Sequence, residues 1–316
     1  MEYNFWRKVE KWDILIIIAV FLLLSWLLTM QRTTDFIIFC IFVLAYDLLY
    51  GYMGRLSFGH MLYLGVGAYA AALSAHYLSG NPFLAIIIAL AAGAAVGILL
   101  APIIVRTTGA CFALINLAFN QLGFFLALIA LADWTGGEDG LPAFFDPVLG
   151  IDFADPTTVF LLCLVSLLAT VYFVKRLTKS PFGILLRTIK ENETRSQFLG
   201  YNTFRYKMLA FVLSTTLAAF AGALSIINYT YVTPSFIDTT RNVEVIFAAL
   251  IGGAGSVYGA LVGGVGYMII SNYLPNYIQR WEMFLGIALL VLVFRFRQGV
   301  WGYLVALTKK RKAEVA

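Results

Sequence analysis

Charge is what this chain has least of. Asp, Glu, Lys and Arg make up 12% of its 316 residues, where a soluble domain carries about a quarter. That leaves too little polar surface to face water on all sides and excludes a freely soluble globule. Histidine is nearly absent, with only His60 and His76, which leaves little room for a His-based metal site. The three cysteines, Cys40, Cys111 and Cys163, sit inside apolar runs. They lack metal-ligand spacing and read as small buried hydrophobes. No G-x-x-x-x-G-K-[ST] nucleotide loop, H-E-x-x-H metal helix or G-x-S-x-G nucleophile elbow occurs. The dense intramembrane carboxylates of many proton-coupled pumps are missing as well. An enzyme is therefore not expected, and any energy from ATP must come from another chain. The modest net charge of +5 gathers between apolar runs, so nucleic-acid binding is not expected either. No proline- or serine-rich linker divides the chain, and residues 1–316 read as one membrane domain.

What the chain has in abundance is grease, with 61% of residues hydrophobic. Apolar runs of about 18 residues or more read as membrane-spanning helices. The runs fall at 12–30, 33–50, 59–79, 82–105, 109–132, 157–174, 208–231 and 281–297. A further apolar stretch, 243–272, is interrupted by Gly252, Gly253 and Gly255. The expected fold class is thus an all-α polytopic bundle of about eight to ten membrane helices, broken or re-entrant segments included. The stretch 175–207 carries eight bases, among them Lys175, Arg187, Lys190 and Lys207. The stretch 133–157 carries six Asp or Glu residues and no base. By the positive-inside rule the first faces the cytoplasm and the second faces outward. Both termini are basic, so both are expected inside and the number of crossings must be even. That parity makes 243–272 a segment that enters and returns to the same face. Of the 22 bases, only Arg32, Arg241 and Arg280 then fall outside.

Two glycine-rich elements stand out. The first, GYMGRLSFGHMLYLGVGAYA at 51–70, contains Gly51, Gly54, Ser57, Gly59 and His60. The second begins at Gly252 as GGAGSVYG and contains Gly253, Gly255 and Ser256. The plain reading is close helix packing. The sharper one is a pair of interrupted segments lining a solute path. Polar residues within apolar runs are few. Asn116 and Asn120 lie four apart on one helical face, where an interhelical hydrogen bond is the plain alternative to a path role. Asp47 and Glu244 read as wet positions near helix ends, with Glu244 also a path candidate.

Four colinear stretches then carry a resemblance: 51–70; RTTGACFALINLAFNQ at 106–121; TGGEDGL at 135–141; and SPFGILLRTIKENETRSQFLGY at 180–201, continuing to IGGAGSVYG at 251–259. With Arg297-Gln298-Gly299 near the end, they resemble the branched-chain amino-acid permeases of ATP-binding-cassette importers, the LivM-type subunit in particular. The chain departs from the family's pattern at Ile184, at Thr194 to Ser196 and at Glu138. The resemblance implies an importer permease fold in the cytoplasmic (inner) membrane. It implies four kinds of partner: a homologous permease subunit, two ATPase subunits that carry ATP and Mg, a soluble solute-binding protein, and membrane lipid. It implies that a cytoplasmic helix, about Phe182 to Phe198, docks on an ATPase through Pro181, Gly183, Arg187, Lys190, Glu191, Glu193 and Gly200. It implies that the outer loop with Thr135, Gly136, Gly137, Glu138 and Asp139 receives the binding protein. Hydrophobic amino acids are the solute it favours. Urea or short amides, and a self-sufficient secondary transporter or channel, are the alternatives.

Overall fold

The computed structural model describes residues 2–313 other than 149, 279, 282, 285, 288, 289 and 291–298. The span expected at 281–297 and the pair Arg297-Gln298 thus lie, wholly or for the most part, outside the described residues, as do the basic side chains of both termini. Helices dominate the rest. They are α1 (Glu2–Leu27), α2 (Met30–Asp47), α3 (His60–Tyr77), α4 (Pro82–Ile104), α5 (Ala110–Phe125), α6 (Ala132–Thr135), α7 (Pro156–Lys179), α8 (Pro181–Glu191), α9 (Glu193–Phe198), α10 (Thr203–Tyr229), α11 (Asn242–Gly252), α12 (Val257–Tyr273) and α13 (Gly299–Ala313). Wider π turns extend α2 through Leu48–Met53 and α5 through Leu126–Ala130. Short polar side chains start the long helices. Asn81 and Asp155 accept bonds from the backbone N–H groups of Phe83 and Thr157, each followed by proline at the first helical position.

Among the described residues, six helices are long and apolar enough to cross a membrane: Met30–Met53, Pro82–Ile104, Ala110–Ala130, Pro156–Lys179, Thr203–Tyr229 and Val257–Asn276. Asp13–Leu27 forms a shorter apolar helix. Five of the expected spans are among the six. The run at 59–79 is not: α3 has 18 residues, but its histidines, tyrosines and glycines make it less apolar than the six. It also starts inside the bundle, with His60 beside Ser214, about 16 Å up α10 at 1.5 Å per residue. There α3 runs parallel to α10, with Tyr63 on Phe211 and Gly67 against Ala219. Helix α4 runs antiparallel to α10, with Gly93 on Ala219 and Gly97 on Thr215. Small residues let these backbones touch, as lipid-embedded helices require.

The stretch 243–272 breaks where the glycines stand, at Gly253–Ser256 between α11 and α12. The two helices fold back as a hairpin. A Cβ on Gly252 would lie 1.8 Å from Gly259 O, and one on Gly263 would lie 2.0 Å from Ala248 O. Its arms are unequal. α11 has 11 residues, about 16 Å, too short to cross a membrane, and it begins at the fully buried Asn242.

The bundle has two chemically distinct ends. At one end Lys175 pairs with Asp13 and donates to Tyr258 Oη, Arg106 covers Phe204, and Gly299 abuts Gly253. The opposite end gathers the acidic stretch. There the short strands β1 (Leu141–Pro142) and β2 (Tyr231–Val232) pair antiparallel. Asp146 N donates to Gly80 O, and Trp134 stacks on Tyr77. The basic stretch 175–207 and the acidic stretch 133–157 thus lie at opposite ends.

Candidate functional site

At the basic end the two glycine elements meet each other and the segment 180–207. The contact is backbone on backbone at Gly51. A Cβ there would lie 2.2 Å from Gly255 N and 2.1 Å from Asp47 Oδ1, so only glycine fits. Asp47 lies one turn before Gly51 and aims at the same place. Its Oδ1 and Oδ2 accept from Gly255 N at 2.9 and 3.2 Å. The turn 253–255 needs φ of +103° and +85° at Gly253 and Gly255, which leaves that N–H pointing at the carboxylate. Asp47 is therefore not a wet helix end. It is buried, and it pins the hairpin tip to α2.

The segment 180–207 grips the same junction from its other side. Lys190 Nζ donates to Gly51 O at 2.8 Å, and its stem lies over Gly54. The Arg187 guanidinium sits 5.0 Å from the Tyr52 ring centre. Arg55 reaches back to Glu193 at 3.1 Å, and Glu193 also accepts from Lys207 and from Thr203. Burial pushes the Glu193 carboxyl up, but the Lys207 hydrogen bond and charge, Thr203 and Arg55 outweigh it. The net result lies below the usual carboxylate range.

The helix expected over 182–198 is two helices, α8 and α9. They are parted at Asn192, whose side chain caps the second by accepting from Arg195 N. Pro181 starts α8. Gly183 packs against the Thr178 backbone, and Gly200 takes φ +86° after α9. α8 buries Leu185, Leu186 and Ile189. Its outer side, with the turn after α9, leaves large apolar groups uncovered: Ile184 is 59% exposed, Phe198 88%, Leu199 66% and Tyr201 46%. Glu191 and Arg195 flank them, exposed. Sequence reading had singled out the charges here and passed over Phe198 and Leu199, though an F-L-G-Y run within a basic loop signals them.

Several of the other path candidates lie in a buried polar cluster. His60 is enclosed by Phe42, Tyr46 and Tyr63, with ring centres 5.4 to 5.5 Å away. Ser214 gives its proton to Ala45 O, so His60 donates to Ser214 through Nε2. Ser57 Oγ accepts from Gly59 N, and Gly59 itself presses on the Asn116 backbone. Asn116 bonds Tyr63 and Phe112 O. Asn120 bonds Ile237 O and Asn242, which in turn accepts from Met61 N. Ser256 caps α12. These asparagines tie α3, α5 and α11 together. In the acidic loop Thr135 is buried on Ala127 O, and Gly136 takes φ +77°. Gly137 is buried, while Glu138 and Asp139 face outward on a single 3-10 turn.

Glu244 stands apart from this cluster, on a cavity of about 430 Å³ between α2, α3, α10, α11 and α12 at the acidic end. Asp35 and Arg241 also border it. Among the described residues no group of three or more His, Cys, Asp and Glu could hold a metal ion.

A family model described as "Branched-chain amino acid transport system / permease component" matches residues 28–294. Among curated proteins, the chain is 27% identical over 293 residues to the high-affinity branched-chain amino acid transport system permease protein LivM of Escherichia coli, covering 84% of this chain and 68% of that protein. It is 28% identical over 282 residues to the permease protein LivH of Salmonella typhimurium, covering 81% and 88%. A probable branched-chain amino acid transport permease protein LivM of Methanocaldococcus jannaschii is 24% identical over 248 residues, covering 72% and 70%. The chain spans about two thirds of the length of the LivM proteins of Escherichia coli and Salmonella typhimurium, 68% and 66%. No solved structure matches.

Proposed function

Since the chain belongs to the family of branched-chain amino acid transport system permease components, a multi-pass membrane permease family, we propose that it is the membrane-spanning subunit of an ATP-driven importer of hydrophobic amino acids. In this reading it works beside a second, homologous permease subunit, two ATPase subunits that bind ATP and Mg, and a soluble solute-binding protein. The relatives named above are permease proteins of transport systems, which supports the role and the need for partners.

The observation that carries the energy coupling is the junction at the basic end. By the positive-inside rule that end is cytoplasmic. Its outer surface offers Ile184, Phe198, Leu199 and Tyr201 among charges, the composition of a protein interface with an apolar centre and a polar rim. Its inner surface holds Gly51 through Lys190, and Gly51 is packed on the hairpin tip that Asp47 fixes. When two ATPase subunits close on ATP, a displacement of α8 passes to the π turn of α2 and then to the α11–α12 hairpin. A device of this kind shifts the balance between inward- and outward-open states only through contacts that differ between them. The Lys190–Gly51 and Asp47–Gly255 bonds are the contacts assigned to that task. At the acidic end, exposed Glu138 and Asp139 are offered to the binding protein.

The experiment is reconstitution. The chain is co-expressed with a candidate homologous permease and ATPase, purified and placed in liposomes with a cognate binding protein and L-leucine. Leucine-stimulated ATP hydrolysis and ATP-dependent uptake are expected. Leucine flux through the chain alone, driven by an ion gradient, would refute the reading in favour of a secondary transporter. Stimulation by urea but not leucine would move the solute to the short amides.

A further inference from the structure

Three charged side chains border the cavity at the acidic end, and none is fully answered by its neighbours. Asp35, in the second turn of α2, accepts from Asn228 Nδ2 at 2.7 Å and bonds Tyr229. Both partners are neutral, and among the described residues no salt bridge reaches Asp35. Arg241 Nε stands 3.8 Å from Glu244 Oε1, with their side chains 44% and 33% exposed, beyond the length of a direct hydrogen bond. Its guanidinium lies 5.9 Å from the Phe236 ring centre, at the outer limit of a cation–π contact. Ionisable groups among apolar helices are costly and mark a ligand or a pathway by default. The remaining wall is mainly apolar, with Ile38, Phe39, Phe42, Met61, Leu64 and Met268, and the hydroxyl-bearing Ser225, Tyr229 and Tyr231 complete it. The volume, about 430 Å³, falls among small-molecule sites of about 300–1,000 Å³.

We infer that this cavity is a binding site for an apolar α-amino acid in its zwitterionic form, with the ammonium at Asp35, the carboxylate at Arg241 and the side chain on the Phe39–Phe42 wall. The inference rests on the import function proposed above and adds where within the membrane domain the solute is read, and by which groups. Opposite charges on one small ligand match opposite charges on one cavity, and the apolar wall rejects a polar side chain. A neutral amide such as urea would leave Asp35 and Arg241 unanswered, which costs binding. Glu244 lies beside Arg241 and holds the guanidinium at the rim in the absence of ligand. Because Arg241 caps the start of α11, and the far end of that helix is the hairpin tip, a shift of the hairpin moves the carboxylate-binding group relative to Asp35 on α2.

The test is a ligand series on the full chain in lipid nanodiscs, read by saturation-transfer NMR. L-Leucine is compared with isopentylamine, which lacks the carboxylate, and with 4-methylpentanoate, which lacks the ammonium. Leucine is expected to bind about tenfold or more tighter than either, the factor one partly exposed charge pair supplies. Asp35→Asn is expected to erase the preference for leucine over 4-methylpentanoate and to leave 4-methylpentanoate binding unchanged. Arg241→Gln is expected to erase the preference over isopentylamine and to leave isopentylamine binding unchanged. A damaged fold would lower all three together, so parallel losses overturn the inference. Equal affinities on the unmodified chain, or no saturable leucine binding, overturn it even where a variant fails to fold. ATP-dependent leucine uptake by the assembled complex without this ligand preference sinks the site and leaves the function standing. Ligand preference without ATPase coupling does the reverse.

Discussion

Lys190→Met isolates the joint between the cytoplasmic segment and the bundle. The substitution keeps a straight apolar stem of similar length, so the cover over Gly54 survives. A Cβ at Gly54 would lie 2.7 Å from Lys190 Cγ, which shows how closely that stem is seated. Only the ammonium is lost, and with it the 2.8 Å bond to Gly51 O. A hydrogen bond with one charged partner contributes about 1.5–3 kcal/mol when shielded. Lys190 is largely exposed, so solvent screening cuts that to about 1 kcal/mol. A difference of about 1 kcal/mol changes a conformational ratio about fivefold. Uptake at limiting ATP is therefore expected to fall about fivefold, while ATP hydrolysis without solute continues. Docking of the ATPase should not change, because the ammonium faces Gly51 and not the exposed ridge of Phe198 and Leu199. The assay is paired: ATP-dependent leucine uptake in proteoliposomes, and ATPase co-purification on the tagged chain. Unchanged uptake would refute the transmission route through Gly51. Loss of uptake together with loss of the ATPase would show that Lys190 belongs to the docking surface instead.

Phe198→Asp places a charge at the centre of the uncovered ridge, and co-purification of the ATPase is expected to fail while the chain elutes normally on size exclusion. Gly263→Leu drives a side chain into the Ala248 and Gly252 backbones, which cannot step aside, and is expected to destabilise by about 1–3 kcal/mol or more. Gly266→Ala meets only Ile251 Cγ2 at 4.0 Å and should be neutral in the same thermal-denaturation assay. Glu193 has its carboxyl held below its ordinary value of 4.5, so its clamp on Lys207 and Arg55 is fully present above that pH. The clamp is lost as pH falls through the lowered folded value. Amide protection across 193–207, taken as the exchange rate relative to the intrinsic rate at each pH, is expected to hold from neutral pH down to about 4.5 and to fall in acid, and Glu193→Gln should lower it at neutral pH and flatten the dependence.

How much of this was legible beforehand follows from the kind of signal each feature leaves. Apolar run length is a one-dimensional property, so the helices around residues 33–50, 82–105 and 208–231 could be read directly. The glycines at 252, 253 and 255 marked a place where a helix is weakened, but Gly263, Gly264 and Gly266 have the same spacing inside unbroken α12, so composition alone does not say which of the two runs breaks. The basic and acidic stretches were separable by charge alone, and the bundle does set them at opposite ends. What could not be read is which of these one-dimensional features touch. Gly51 and Gly255 are about two hundred residues apart in sequence, and they read as members of two separate glycine-rich elements. In the fold they are neighbours, and the aspartate that joins them had been assigned to water. Run-length reasoning erred on Asp47 because it treats a charge near a helix end as solvated by default. It has no means of seeing that a turn from a distant hairpin brings an N–H to the carboxylate.

The asparagines show the opposite case. Their positions were found, but spacing on one helical face is the same for a channel wall and for a set of interhelical bonds. Only the partners of Asn116, Asn120 and Asn242 decide it, and those are backbone and side-chain groups of α3, α5 and the 3-10 turns before α11. Cross-linked in this way, the polar cluster holds α3 and α5 against the start of α11. The charges of the cavity are answered only in part: Asp35 has neutral partners, Asn228 among them, and Arg241 stands 3.8 Å from Glu244. A polar group whose hydrogen bonds are complete within the protein serves the architecture. One that faces a cavity with its charge only partly answered remains available to a solute, and on that difference the two sets of residues divide.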